Sequence, residues 1–270
     1  MISGKFRIQY VSDLHLEMYQ KVQFPLLLKP VSAYLVLAGD IGQPSCQSWR
    51  PFFDYVNTHW EHIFYVTGNH EYYSKRKDKW KYSEPTPFSI RHQEIKDSLK
   101  EFKNVTLLDT DAPSFHIPSH NVTIIGNTLW TNIPNDMEYE VGNSINDYNF
   151  IASDISTPLS TTTMNAIHEE HKRRLEKELD AWPSAKIIIV THHMPSYTLI
   201  NPRYKNDPLN CAFASHCEEL MRPNVRAWIY GHTHNVSKVL IGTTLTAVNA
   251  RGYPNEACDG FSPEAYIEIE

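Results

Sequence analysis

His62-Ile63-Phe64-Tyr65-Val66 runs, after a single threonine, into Gly68-Asn69-His70-Glu71. The first half is apolar, β-branched and aromatic, the composition of a buried strand, and Gly-Asn breaks it into a loop at its carboxyl end. Carboxyl ends of strands are where open α/β sheets place ligands. Within one turn Asn69 offers an amide oxygen, His70 an imidazole that titrates near neutrality and Glu71 a carboxylate. One such tetrapeptide is weak evidence. Its weight comes from four further strand ends that carry residues of the same kind.

Toward the N-terminus, the predicted strand Phe6–Val11 ends in Ser12-Asp13-Leu14-His15. If the chain stays extended, alternation about Leu14 turns Asp13 and His15 to one side, and two ligand types face one ion. The alternative is an Asp that caps the next turn beside a surface His. A second strand, Tyr34–Ala38, is apolar throughout, as strands of a parallel sheet are, and stops at Gly39-Asp40. Toward the C-terminus, Lys186–Val190 ends in Thr191-His192-His193, and Val225–Tyr230 opens into Gly231-His232-Thr233-His234, where His-x-His repeats the geometry expected of Asp13 and His15. Residues 236–248 read as two antiparallel edge strands, and 265–269 as a terminal strand.

Apolar spacing predicts helices over 47–60, 88–102, 164–181 and 213–221. Residues 131–163 show little periodicity and several turn formers, the mark of a lid or binding loop. Lys75, Arg76, Lys77, Lys79 and Lys81 read as a solvated loop beside the site. Trp130 is expected in the core, with Asn127 at a strand end. Arg251 is a candidate contact for a substrate phosphate, with a surface role as its alternative.

The 270 residues, 41% hydrophobic, fit one large α/β domain over 1–270. A net charge of −6 argues against a broad polyanion-binding surface, so nucleic acid is not the expected partner. Cys46, Cys211, Cys217 and Cys258 lack Cys-x-x-Cys spacing, and neither a signal-peptide pattern nor a spanning apolar run is present. A cytoplasmic protein without a membrane partner is expected. No Gly-x-x-x-x-Gly-Lys-Ser/Thr loop supports a nucleotide-driven ATPase.

Five buried strands thus end in Asp-x-His, Gly-Asp, Gly-Asn-His-Glu, His-His and Gly-His-x-His. Burying several ionisable groups in one crevice without a cation costs several kcal/mol each, so bound metal is the natural compensation. Seven candidate ligands, Asp13, His15, Asp40, Asn69, His192, His232 and His234, are too many for one tetrahedral zinc and suit two ions sharing a carboxylate.

Asp13-Leu14-His15, Gly39-Asp40, Gly68-Asn69-His70-Glu71, His192 and Gly231-His232-Thr233-His234 together resemble the calcineurin-like metallophosphoesterase family, in the family's order and over residues 6–234. The resemblance implies a four-layer α/β/β/α sandwich with two mixed central sheets. It places Asp13, His15, Asp40 and His234 on one metal and Asp40, Asn69, His192 and His232 on the other, with Asp40 as the bridge. His192 is taken as the ligand because it comes first after the strand, with His193 as the alternative or as a substrate contact. His70 matches the family's catalytic histidine, a general acid toward the leaving oxygen. Glu71 is expected to orient His70 or a loop amide. One departure stands out: Gly-Asp is often followed in the family by x-x-Asp, where this chain has Gln43, which puts the local loop structure in question.

The implied function is hydrolysis of a phosphomonoester or phosphodiester, as a phosphatase or phosphodiesterase acting on a small molecule or phosphoprotein. The expected cofactors are two divalent or mixed-valence ions, with manganese, iron, zinc and cobalt all compatible with oxygen and nitrogen ligands. Their pair would activate a bridging water for in-line attack. The alternative is a scaffold of the same fold that has lost catalysis, against which stands the retention of every ligand and of His70.

Overall fold

The computed structural model describes residues 5–74, 86–155, 157–256 and 258–270, so the lysine-rich cluster at 75–81 lies outside the described residues. In chain order the elements are β1 Phe6–Val11, α1 Phe24–Leu27, β2 Tyr34–Ala38, α2 Trp49–His59, β3 His62–Val66, α3 Phe88–Leu99, β4 Val105–Leu107, β5 Ser114–Ile117 and β6 Val122–Gly126. There follow α4 Glu138–Ser144, α5 Asp147–Phe150, β7 Ala152–Asp154, β8 Thr157–Pro158, α6 Thr161–Ala181, β9 Lys186–Val190, β10 Val225–Ile229, β11 Val236–Ile241, β12 Thr244–Asn249 and β13 Tyr266–Ile269.

Two mixed sheets form the centre. The first has the order β13-β1-β2-β3-β4, parallel from β1 to β4 with β13 antiparallel on β1. The second has the order β11-β12-β10-β9-β6-β5, parallel from β12 to β6 and antiparallel at both edges. Alternation along each strand sends one set of side chains between the sheets and the other outward. Ile8, Val36 and Phe64 meet Ile124, Ile188 and Ile229 between the sheets. Leu35, Leu37 and Ile63 point the other way onto Trp49, Phe53 and Ile95 of α2 and α3. Ile187, Ile189 and Trp228 pack under Leu175 and Leu179 of α6. The layers therefore run helix, sheet, sheet, helix, as expected.

The α6 helix begins three residues before its apolar stripe, because the Ser160 hydroxyl accepts the Thr163 amide and caps it. Three expectations are corrected. Residues 213–221 do not form a helix: the Ser215 and Cys217 amides donate to Met194 and Pro195 carbonyls instead of closing helical turns, leaving a single 3-10 turn at Glu218–Leu220. β12 is an interior strand, because it pairs in parallel with β10 while β11 takes the edge. Residues 131–163 are not one irregular loop but hold two short helices and the β7–β8 hairpin.

Candidate metal centre

The parallel pairings β1–β2–β3 and β9–β10 carry five strand ends to the same edge of the molecule, and each ligand-type side chain leaves from the first residues beyond a strand. The backbone there is not extended. Asp13 (φ 55°), His15 (φ 49°), Asp40 (φ 53°), His232 (φ 67°) and His234 (φ 40°) all take the left-handed conformation. Strand alternation therefore does not explain the convergence of Asp13 with His15; a left-handed bend does. The same bends send His232 and His234 to different clusters. Gly39 (φ 85°) and Gly68 make the crowding tolerable, since a Cβ on Gly39 would strike the His192 ring and one on Gly68 would strike Asp40.

Two groups of side chains result. In the first, His15 Nε2 lies 3.0 Å from His234 Nε2, and Asp13 Oδ1 lies 3.6 Å from the same His234 atom. In the second, the Asn69 amide oxygen lies 3.0 Å from His192 Nε2 and 3.1 Å from His232 Nδ1. Asp40 stands between them, Oδ1 at 3.5 Å from His192 Nε2 and Oδ2 at 3.9 Å from His15 Nε2. Asp13–His15–His234 and Asp40–His192–His232 each bring their ligand atoms close enough to hold a metal ion. The sequence had suggested the same residues with Asp40 added to the first set and Asn69 to the second; His15, Glu17 and His70 form a third group that is as close.

The donors fit that role in a second respect. A metal-binding imidazole commonly gives its outer N–H to an oxygen, which fixes the lone pair on the inner nitrogen. His15 Nδ1 faces Glu17 Oε1 at 3.3 Å, His192 Nδ1 faces the Ala38 carbonyl at 3.0 Å, and His234 Nδ1 faces Glu256 Oε2 at 2.5 Å. Their inner nitrogens all point at the carboxylates and Asn69. The crevice also asks for positive charge. Burial alone would raise Asp40, yet His192 and His70 beside it hold it well below the usual carboxylate range. Burial opposes a charge on His192, but Asp40 lifts its pKa to about 10.

His70 sits at the mouth of this centre. Its Nδ1 lies 3.2 Å from Glu17 Oε1, its Nε2 lies 3.1 Å from the Tyr253 hydroxyl, and its ring stacks on Tyr73 with centroids 4.2 Å apart. Burial works against its charge, but Asp40 and Glu17 raise its pKa to about 9. The turn that carries it is pinned by Gln43, whose amide donates to the His70 and Tyr73 carbonyls, both at 2.8 Å. The departure at Gln43 thus secures the loop by another route. Glu71 serves loop amides: its carboxylate accepts from Asp40, Ile41 and Gly68 N–H groups and from the Tyr65 hydroxyl. Burial and Asp40 push its pKa up to about 8 against those donors.

A cavity of about 420 Å³ opens from Asp40, Asn69, His70 and His232 toward a wall that includes Ile200, Tyr204, Asn201 and Phe213. Neither suggested substrate contact is among its lining residues. His193 is buried beneath the site, its Nδ1 3.3 Å from the Thr128 carbonyl and its ring 4.2 Å from that of His232. The Arg251 guanidinium lies over the Phe261 ring. Trp130 is a core residue, as expected, and Asn127 secures the Leu129 amide. Four residues beside the site were not foreseen: Glu17, Asp147, Tyr253 and Glu256. Only Glu17 carried a local signal, two residues after His15; the others come from segments far off in the chain.

The fold and the paired clusters suit a metal-dependent phosphoesterase, and comparison with known proteins supports that class. The calcineurin-like phosphoesterase model matches residues 6–236, so the chain belongs to that family. An uncharacterized protein of Acanthamoeba polyphaga mimivirus is 31% identical over 281 residues, covering 97% of this chain and 96% of that protein. Among solved structures, the phosphopantetheinyl hydrolase of Mycobacterium tuberculosis superposes with a TM-score of 0.71 at 17% identity, over 94% of this chain and 92% of that one, a likeness of fold. No helix among the described residues is long and apolar enough to cross a membrane.

Proposed function

We propose that this chain hydrolyses the phosphomonoester or phosphodiester of a small molecule, with His70 as general acid. The observation that carries the reading is the position of His70, at the cavity edge beside the Asp13–His15–His234 and Asp40–His192–His232 clusters. Asp13, His15, Asp40 and His234 would hold one divalent ion, and Asp40, Asn69, His192 and His232 a second. When bound, two such ions supply an activated water and a clamp for phosphoryl oxygens, and manganese, iron, zinc or cobalt suits the donor set. His70 then presents Nε2 where the Tyr253 hydroxyl now stands, and gives its proton to the leaving oxygen. The remainder of the substrate lies against the wall at Ile200, Tyr204 and Phe213. A cavity of this size favours a small molecule over a protein or a nucleic acid. Four free thiols support a reducing, cytoplasmic setting.

The test is turnover of p-nitrophenyl phosphate and bis-p-nitrophenyl phosphate by manganese-loaded protein, with His70→Ala alongside. Hydrolysis that falls roughly 100- to 10,000-fold in the variant supports the assignment. The preferred ester separates phosphatase from phosphodiesterase. Undiminished turnover by His70→Ala removes the general-acid role, and no turnover by protein shown to hold two ions removes the hydrolase reading for such esters.

A further inference from the structure

One carboxylate oxygen serves two histidines that the mechanism treats separately. Glu17 Oε1 lies 3.3 Å from His15 Nδ1 and 3.2 Å from His70 Nδ1, and the two rings meet edge to face at 4.5 Å between centroids. We infer that Glu17 is a positioning residue, which holds the His15 ligand and the His70 acid in register through this shared oxygen. The inference rests on the general-acid reading of His70 given above.

The geometry leaves little choice of roles. His15 Nε2 is already turned toward His234 and Asp40, so Nδ1 is the nitrogen left to donate outward. His70 Nε2 is turned toward Tyr253 at the cavity, so its Nδ1 likewise faces inward to Glu17. A carboxylate accepts from both, and in doing so fixes where each ring carries its inner proton.

A packing role would not require a charge there. The Glu17 side chain is only 17% exposed, and Oε2 is buried with no partner among the described residues, an arrangement that costs free energy unless the other oxygen is used. The loop after Asp40 leaves room for it: Gly42 (φ 153°) comes so near that an added Cβ would lie 3.4 Å from Glu17 Oε2 and 3.0 Å from Leu16 Cβ. A third metal on His15, Glu17 and His70 is the weaker reading. It would strip Nδ1 of its proton in both rings and occupy His15 from two sides at once.

The consequence is a linkage between the metal-binding ring and the acid. A shift of His15 as it engages metal is passed to His70 through an oxygen that each contacts directly. Glu17 is therefore needed most when the leaving group must be protonated.

The test compares wild type, Glu17→Gln, His70→Ala and the double variant, all manganese-loaded, on p-nitrophenyl phosphate and on an alkyl phosphate whose leaving oxygen must take a proton. Glu17→Gln, close in shape, is expected to lower kcat on the alkyl ester by about 10- to 100-fold with little change in KM, and to affect the nitrophenyl ester far less. In the His70→Ala background the same change should add no further discrimination between the esters. A second readout does not involve turnover. In zinc-loaded protein with 15N-labelled histidine, hydrogen-bonded Nδ1–H resonances of His15 and His70 should be present in wild type and lost in Glu17→Leu, which has no acceptor. Equal losses on both esters, additive losses in the double variant, or resonances that survive in Glu17→Leu overturn the assignment. If His70→Ala does not discriminate between the esters, the general-acid reading falls by itself, and the resonances alone then decide whether Glu17 holds the two rings.

Discussion

Asp147 Oδ1 accepts the Asn69 side-chain N–H at 2.8 Å, which leaves the Asn69 oxygen aimed at His192 and His232. Tyr73 donates to the same Asp147 oxygen at 2.7 Å. A residue 78 positions away thus fixes which end of the Asn69 amide faces the centre. Asp147→Ala should weaken the ion at the Asn69 cluster by about 10- to 100-fold and spare the other. Metal analysis after limited dialysis checks this: loss of roughly one ion per chain is expected, and full retention of both would sink the assignment.

Gly68 has an ordinary backbone conformation, so its constraint is one of space. Any Cβ would collide with the Asp40 carboxylate and backbone and with the His192 ring. Gly68→Ala should therefore displace Asp40, lower the affinity for both ions and cost about 1–3 kcal/mol of stability. Urea denaturation with and without metal measures both effects, and wild-type behaviour would contradict the close approach.

Removing the ions should destabilise the protein, because Asp13 and Asp40 are buried with four imidazoles gathered around them. Each ion held at a hundredfold its Kd contributes about 2.7 kcal/mol to the folded state. Thermal melts are expected to fall on chelation and recover with manganese. A melt unmoved by chelator would show that metal does not bind the folded chain preferentially.

Acid stability should carry a signature from a histidine that is not among the candidate ligands. His171 on α6 has a buried Nδ1 without a partner among the described residues, and burial together with His168 pushes its pKa down to about 3. In the unfolded chain the ring titrates near 6.5. Between those values the unfolded chain binds a proton that the folded chain refuses, so stability present above about pH 6.5 is lost as the pH falls toward 3. The slope is at most about 1.4 kcal/mol per pH unit. Metal-free His171→Gln should show a shallower acid limb than metal-free wild type, and parallel limbs would refute the account.

Activity should likewise fall as the pH is lowered, because protons compete with the ions for the imidazole ligands. Metal content that is unchanged at about pH 5 would remove this explanation.

Strand ends and ligand types were legible because both are local: β-branched runs mark buried strands, and the residue after each run is fixed by the chain itself. Asp147, Tyr253 and Glu256 were not, because their nearness depends on how distant loops fold back; Tyr253 reaches His70 across 183 residues. The segment 213–221 misled for a related reason. Its apolar spacing suits a helix, but carbonyls at 194 and 195 capture its amides. Glu17 stood in plain view two residues after His15, yet its contact with His70 exists only because the assembled sheet brings the two together.

The left-handed backbone at Asp13, His15, Asp40, His232 and His234 bears on how such a chain changes over generations. Each of these positions would be relaxed by glycine, at a gain of about 1 kcal/mol. Selection for stability alone would therefore wear away the ligands first, and a descendant that had stopped doing chemistry would show glycine at these turns before its core had altered. Aspartate or histidine at each of these turns is thus carried against the preference of the backbone.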